Sequence, residues 1–181
     1  MTRNHAAMKI FLIGYMGCGK TSLGRKLAHA TGLRFVDMDA AIEEREGASV
    51  ADIFRYEGEE YFRSRERRLI DELAESEEDM IISTGGGAPV WRDNMERMNE
   101  AGVTVYLRRT PEQIASRLSP HGRRKRPKLR DLDDEELIAF MTANMAEREP
   151  FYSRARLCVD CAERSDAELI ETVLSTIRGD E

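Results

Sequence analysis

From Gly14 to Thr21 the chain reads Gly-Tyr-Met-Gly-Cys-Gly-Lys-Thr, which satisfies every fixed position of G-x-x-x-x-G-K-[S/T]. Glycines at this spacing let consecutive backbone N–H groups converge on phosphate oxygens, an approach that side chains would block. Lys20 then comes within reach of β- and γ-phosphate oxygens, and the Thr21 hydroxyl is placed to hold Mg²⁺. Gly17, Cys18, Gly19 and Ser22 complete the expected nucleotide-binding stretch. The same string can also make a tight strand-to-helix turn with a coincidental lysine. It lies, however, between a buried-strand pattern and an amphipathic helix pattern, where phosphate binding requires it. Phosphate binding alone leaves open whether water, a protein or a small molecule receives the phosphoryl group.

Asp37 and Asp39 bear on that question. Separated by one residue after a short strand pattern, both can project from one sheet edge toward the phosphate loop. One carboxylate near Mg²⁺ can hold metal-bound water. The other, further out, can accept a hydrogen bond from an alcohol and orient its oxygen for in-line attack. Either can instead cap a helix starting at Ala40. Ser83-Thr84 then runs into Gly85, Gly86 and Gly87, and consecutive glycines at the carboxyl edge of a strand permit close approach of a ligand. Arg63, Arg126 and Arg148 stand in distinctive settings: Glu59-Glu60-Tyr61-Phe62-Arg63, Arg126-Pro127 and Arg148-Glu149-Pro150-Phe151-Tyr152. Guanidinium groups pair bidentately with carboxylate or phosphate, so the set implies an anionic acceptor beside the nucleotide. Any one of these arginines alone reads as solvated surface.

Alternating elements must position these residues. Apolar runs at 9–14, 33–36, 80–83, 103–107 and 156–159 read as short buried strands. Helical spacing marks 20–30, stopped by Gly32, then 40–46, stopped by Gly47, and a further helix capped by Ser49. The charged segment 58–75 carries Phe62, Leu69, Ile70 and Leu73 as its buried stripe. Further helices are expected at 92–100, from Pro111, at 133–149 and at 166–178. Strands alternating with helices predict a three-layer α/β/α domain on a parallel sheet, spanning 1–181 as one unit. Arg123, Arg124, Lys125, Arg126, Lys128 and Arg130 crowd a stretch without apolar periodicity, which reads as an exposed loop.

The chain has 181 residues, 41% of them hydrophobic, enough for a core at this length. Charged residues make up 34%, but with mixed signs and a net charge of −6. This balance argues against general nucleic-acid or anionic-membrane binding. The basic run at 123–130 is the local exception and keeps a second class open, a nucleotide-dependent regulator or nucleic-acid binder whose affinity would collapse with salt. No stretch reaches the ~18–20 apolar residues of a membrane helix. Residues 1–7 lack the core of a signal peptide and are expected to form a disordered tail. Three cysteines, Cys18, Cys158 and Cys161, do not make a disulfide framework, and a cytoplasmic protein is expected. Cys158 and Cys161 spell C-x-x-C, but on a strand pattern residues three apart face opposite sides, and no histidine pairs with them as a zinc ligand.

Taken in order from Lys9 to Arg178, these segments resemble the shikimate kinase family: its phosphate loop, Asp-x-Asp pair, Phe-Arg helix, triple glycine, lid Arg-Pro and late arginine before Pro-x-Tyr. The resemblance implies a P-loop NTPase fold with a five-stranded parallel sheet and a mobile lid at about 119–131. It implies transfer of the γ-phosphoryl of ATP to the 3-hydroxyl of shikimate, giving shikimate 3-phosphate and ADP, with Mg²⁺ as cofactor and a monomer as the working state. Carried over, Lys20 and Thr21 serve ATP and Mg²⁺, and Asp37 holds the metal through water. Asp39 contacts shikimate hydroxyls and orients or deprotonates the attacking one. Arg63 and Arg148 clamp the shikimate carboxylate, and Gly85, Gly86 and Gly87 line the substrate ring. Arg126 reaches in from the lid, Arg117 lies against adenine, and Arg164 falls in the adenine loop. Two departures stand out. Arg126-Pro127 is followed by Lys128-Leu129 where the family has Leu-Leu, and the adenine loop 160–166 lacks the frequent proline.

Overall fold

The computed structural model describes residues 7–118, 122, 129 and 131–179. Lys9–Ile13 forms β1 and is buried at all five positions, so the sheet is covered on both faces there. With β2 (Arg34–Asp37), β3 (Met80–Ser83), β4 (Val103–Arg108) and β5 (Leu157–Asp160) it makes a five-stranded sheet in the order β2-β3-β1-β4-β5, every pairing parallel. Ser83 is in register with Leu12 on one side and Asp37 on the other. Three strands therefore end at one level, and Gly14, Met38 and Thr84 leave the sheet along a common carboxyl edge, where open α/β sheets bind ligands.

The helices around the sheet include α1 (Lys20–Thr31), α2 (Met38–Glu46), α3 (Val50–Tyr56), α4 (Glu59–Glu75), α5 (Asn94–Ala101), α6 (Pro111–Arg117), α7 (Asp134–Tyr152) and α8 (Asp166–Arg178). α1 packs along β2 and β3 and against α8, while α4 packs on α5, which lies on β4. Ile10, Phe11, Leu12, Ile13, Ile81 and Ile82 are fully buried at the centre. Capping boxes start α6 at Thr110, α7 at Asp133 and α8 at Ser165, each satisfying backbone donors that a helix start leaves open. Among the described residues no helix is long and apolar enough to cross a membrane.

Several element ends differ from the sequence expectation for identifiable reasons. α2 begins at Met38, not Ala40, because Asp37 caps it by accepting from the Ala40 N–H at 3.2 Å. Asp39 is thereby placed in the first helical turn. The helix expected from 92 starts at Asn94, since Arg92 sits at φ 50° in the left-handed region. α7 does not stop at Glu149 but continues through Pro150 to Tyr152. Proline there removes one backbone donor, but the added turn buries Tyr152 completely. Residues 1–6 of the expected tail, and 119–121, 123–128 and 130 of the expected lid, lie outside the described residues, and Arg126 with them.

Candidate active site

The phosphate loop leaves β1 at Gly14, whose φ of +140° is hostile to side chains; a Cβ there would lie 2.9 Å from the Leu107 carbonyl oxygen. Lys20 opens α1 and is buried, its Nζ donating to the carbonyls of Gly14 at 2.9 Å and Tyr15 at 3.0 Å. One residue on, Thr21 Oγ1 donates to Asp37 Oδ2 at 2.7 Å and lies 3.3 Å from Ser83 Oγ. Asp37 thus uses one oxygen to cap α2 and the other to meet the loop. Hard oxygen donors gathered at this point suit a small divalent cation that keeps part of its water shell, which is the fit Mg²⁺ needs.

The triple glycine is the floor on which the remaining groups converge. A Cβ on Gly85 would run into Glu66 Oε1 and lie 3.2 Å from Asp39 Oδ1. At Gly86 it would lie 3.2 Å from the Met16 backbone nitrogen and 3.6 Å from an Arg148 guanidinium nitrogen. At Gly87 it would overlap the Arg63 guanidinium. Three consecutive glycines are therefore approached in turn by two carboxylates, at Gly85, and by one guanidinium each at Gly86 and Gly87, with the phosphate loop alongside.

Each of these groups is held by its surroundings. Asp39 opens onto the cleft on one side, but the protein wall behind it strips enough water to push its pKa up. The Asp37 and Glu43 charges push the same way, against Lys20 and Arg63. Arg63 lies over the rings of Phe62 at 5.5 Å and Phe54 at 5.8 Å, and pairs with Glu66 and, at 3.3 Å, with Glu59. Arg148 lies over the Tyr15 ring at 5.4 Å. Tyr152, at the end of α7, donates its hydroxyl to the Gly86 carbonyl at 2.5 Å.

Glu66 was not among the residues singled out by sequence. It is fully buried, its Oε2 pairs with Arg63, and its Oε1 has no hydrogen-bond partner. Burial pushes its pKa up to about 7 against the pull of Arg63, with Asp39 and Glu59 adding to the rise. The sequence did hold a signal: Glu66 falls on the α4 stripe of Phe62, Leu69, Ile70 and Leu73, where a charged residue needs a reason. An unfolded glutamate titrates near ~4.3. Glu66 therefore favours the fold fully below that value, and the contribution is lost as pH rises through about 7. The stability of the wild type relative to Glu66→Gln is expected to fall by about 3 kcal/mol between roughly pH 5 and pH 8. Thermal or urea unfolding of both proteins across that range measures it; a constant difference would mean Glu66 stays ionised beneath Arg63 throughout.

On the other side of the loop, a small recess is lined by Cys18, Gly19, Ser22, Arg117, Arg109 and Cys161. Arg117 reaches toward Gly19, where a Cβ would lie 3.4 Å from its guanidinium. Arg109, also missed by sequence, donates to the carbonyls of Cys18 at 2.9 Å and Cys161 at 3.0 Å, tying the phosphate loop to the segment after β5. Arg164 does not line this recess; it is exposed and leans on Thr172 Oγ1 at 3.4 Å. Cys158 and Cys161 are both unbonded thiols, the first exposed and the second buried, with burial pushing Cys161 up to about 11.

A phosphate loop, oxygens suited to a cation, a carboxylate and two guanidiniums on one glycine floor can move a phosphoryl group onto a hydroxyl of an anionic acceptor. Comparison with known proteins points the same way. A family model described as shikimate kinase matches residues 16–178. A shikimate kinase of Parabacteroides distasonis is 45% identical over 172 residues, covering 93% of this chain and 98% of that one. The crystal structure of shikimate kinase from Bacteroides thetaiotaomicron superposes with a TM-score of 0.85 at 39% identity, covering 95% of this chain and 98% of the other. That of the Acinetobacter baumannii shikimate kinase, solved in complex with shikimate, superposes with a TM-score of 0.82 at 31% identity, covering 97% and 95%. Matching relatives nearly end to end in both sequence and fold, the chain belongs to the shikimate kinase family.

Proposed function

We infer that this chain transfers the γ-phosphoryl group of ATP to the 3-hydroxyl of shikimate, yielding shikimate 3-phosphate and ADP. The observation that carries this reading is the glycine floor: Asp39, Arg148 and Arg63 meet Gly85, Gly86 and Gly87 in succession beside the phosphate loop. A ring acid fits that order, its carboxylate between the two arginines and its hydroxyls toward Asp39. The relative from A. baumannii, solved with shikimate, supports the choice of acceptor.

Arg63 and Arg148 fix the carboxylate by charge-assisted hydrogen bonds, and the glycines let the ring lie close to the backbone. Asp39 accepts a hydrogen bond from the attacking hydroxyl and aligns its oxygen with the γ-phosphorus; its raised pKa makes it the better proton acceptor as the new bond forms. Lys20 and the loop N–H groups bind the phosphates and offset the charge that spreads over them. Thr21 and Asp37 would hold Mg²⁺, which when bound would supply charge neutralisation at the phosphates. Arg117 is assigned to the adenine side.

A coupled assay of ADP release with Mg·ATP tests the reading across shikimate, gluconate, AMP and no acceptor. Turnover should require shikimate; equal release with gluconate, or release independent of acceptor, would overturn it. Arg63→Ala should raise KM for shikimate by roughly 10–150-fold, with KM for ATP changed far less, because a lost charge-assisted pair costs ~1.5–3 kcal/mol. An equal rise for both substrates would place Arg63 in the fold or the nucleotide site instead.

A further inference from the structure

Tyr15 fills a position of the phosphate loop at which the motif specifies no side chain. It is nonetheless 1% exposed, and its hydroxyl donates to Asn144 Oδ1 at 2.9 Å, joining the loop to a helix 129 positions further along the chain. The face of its ring lies under the Arg148 guanidinium, 5.4 Å from carbon to centroid. Asn144, Arg148 and Tyr152 recur every four residues on α7, so one stripe of that helix meets the phosphate loop and the glycine floor together. Tyr152 closes the stripe by gripping the Gly86 carbonyl, and Gly86 in turn lies against Arg148.

Both acceptor arginines lie over aromatic rings, Arg63 over Phe62 and Phe54 and Arg148 over Tyr15. Arg63 is also anchored by carboxylates, Glu66 and Glu59, which occupy some of its donors. Arg148 rests on the face of a phosphate-loop ring. Such a face attracts the guanidinium through the ring quadrupole and fixes its plane, while the in-plane N–H edge stays directed at a carboxylate. We propose that Tyr15 is a positioning residue for the acceptor. Its ring, locked by Asn144, sets Arg148 for the acceptor's carboxylate, so a side chain of the nucleotide loop determines acceptor affinity. This rests on the assignment of Arg148 to the carboxylate.

The test compares Tyr15→Leu, Tyr15→Phe, Arg148→Ala and the double variant Tyr15→Leu/Arg148→Ala, with shikimate and ATP varied separately. Removing the ring face should raise KM for shikimate by about 5–30-fold and leave KM for ATP within about 2-fold. Tyr15→Phe, which keeps the ring, should recover most of that loss. The double variant should bind shikimate no more weakly than Arg148→Ala alone, since the ring acts only through the guanidinium. Should Tyr15→Leu not fold, Tyr15→Met fills more of the space without a π face and carries the same expectation. Equal rises in both KM values, or additive effects in the double variant, would overturn the proposal. Should Arg148→Ala weaken shikimate binding while the ring-free variants do not, the role of Tyr15 falls and that of Arg148 stands. Unchanged shikimate binding in Arg148→Ala would instead remove the carboxylate assignment itself, and the role of Tyr15 with it.

Discussion

Lys20→Ala is expected to fold normally and to lose roughly 10²–10³-fold or more in kcat, the cost typical of removing one donor aimed at developing transition-state charge. Folding survives because the lysine supports little beyond its own loop. Among the described residues its ammonium bonds to the Gly14 and Tyr15 carbonyls and, at 3.8 Å, to the Cys18 sulfur, and the Tyr15 carbonyl keeps a second donor in the Cys18 N–H at 3.2 Å. Catalysis does not survive, because phosphoryl transfer depends on fixed positive charge rather than on covalent help from the protein. Steady-state ADP release, paired with a thermal midpoint for each protein, decides the matter. A folded Lys20→Ala enzyme running near the wild-type rate would remove the mechanism.

Asp39→Asn should keep the geometry of α2 and its cap, which belongs to Asp37, and lower kcat by about 10²–10⁴-fold, the usual range for a lost general base. The pH profile adds a second readout. Asp39 is needed ionised, and burial, Asp37 and Glu43 hold its pKa above the ordinary aspartate value. In the wild type kcat/KM should therefore fall as pH drops through that raised value, so the acid limb begins at a higher pH than an exposed aspartate would give. In Asp39→Asn the limb should disappear along with most of the rate. A loss smaller than about 10-fold with the limb intact would assign that titration elsewhere and reduce Asp39 to a contact of the hydroxyl.

Residues legible in the sequence are those whose job is set by near neighbours in the chain. The phosphate loop, Asp37 and Asp39, and the three glycines follow from spacing after a buried strand, and parallel register then brings the strand ends level. Asp37 caps α2 with one oxygen and meets Thr21 with the other, so its capping role leaves the second oxygen at the phosphate loop. Glu66 was legible as a charged residue on the apolar stripe of α4, but its pairing with Arg63 beside the glycines appears with the tertiary packing. Arg109 was hidden because its carbonyl partners lie 91 and 52 residues away. Tyr152 was obscured by Pro150, which reads locally as a helix stop until the burial of the next turn is counted. Arg164, expected in the adenine loop, is exposed and leans on Thr172 Oγ1, outside the recess beside the phosphate loop.

The crowding around Gly85, Gly86 and Gly87 bears on mutational escape from an inhibitor. Even a methyl group at these positions meets the Glu66 carboxylate, the Met16 backbone nitrogen or the Arg63 guanidinium. Two of those neighbours are charged groups already committed to one another, and the third is backbone, which cannot swing aside. A compound that draws its affinity from this surface would therefore face a target with almost no tolerated substitutions beneath it. A compound leaning on the exposed rim of α8 would meet positions where side chains can change with little effect on the enzyme.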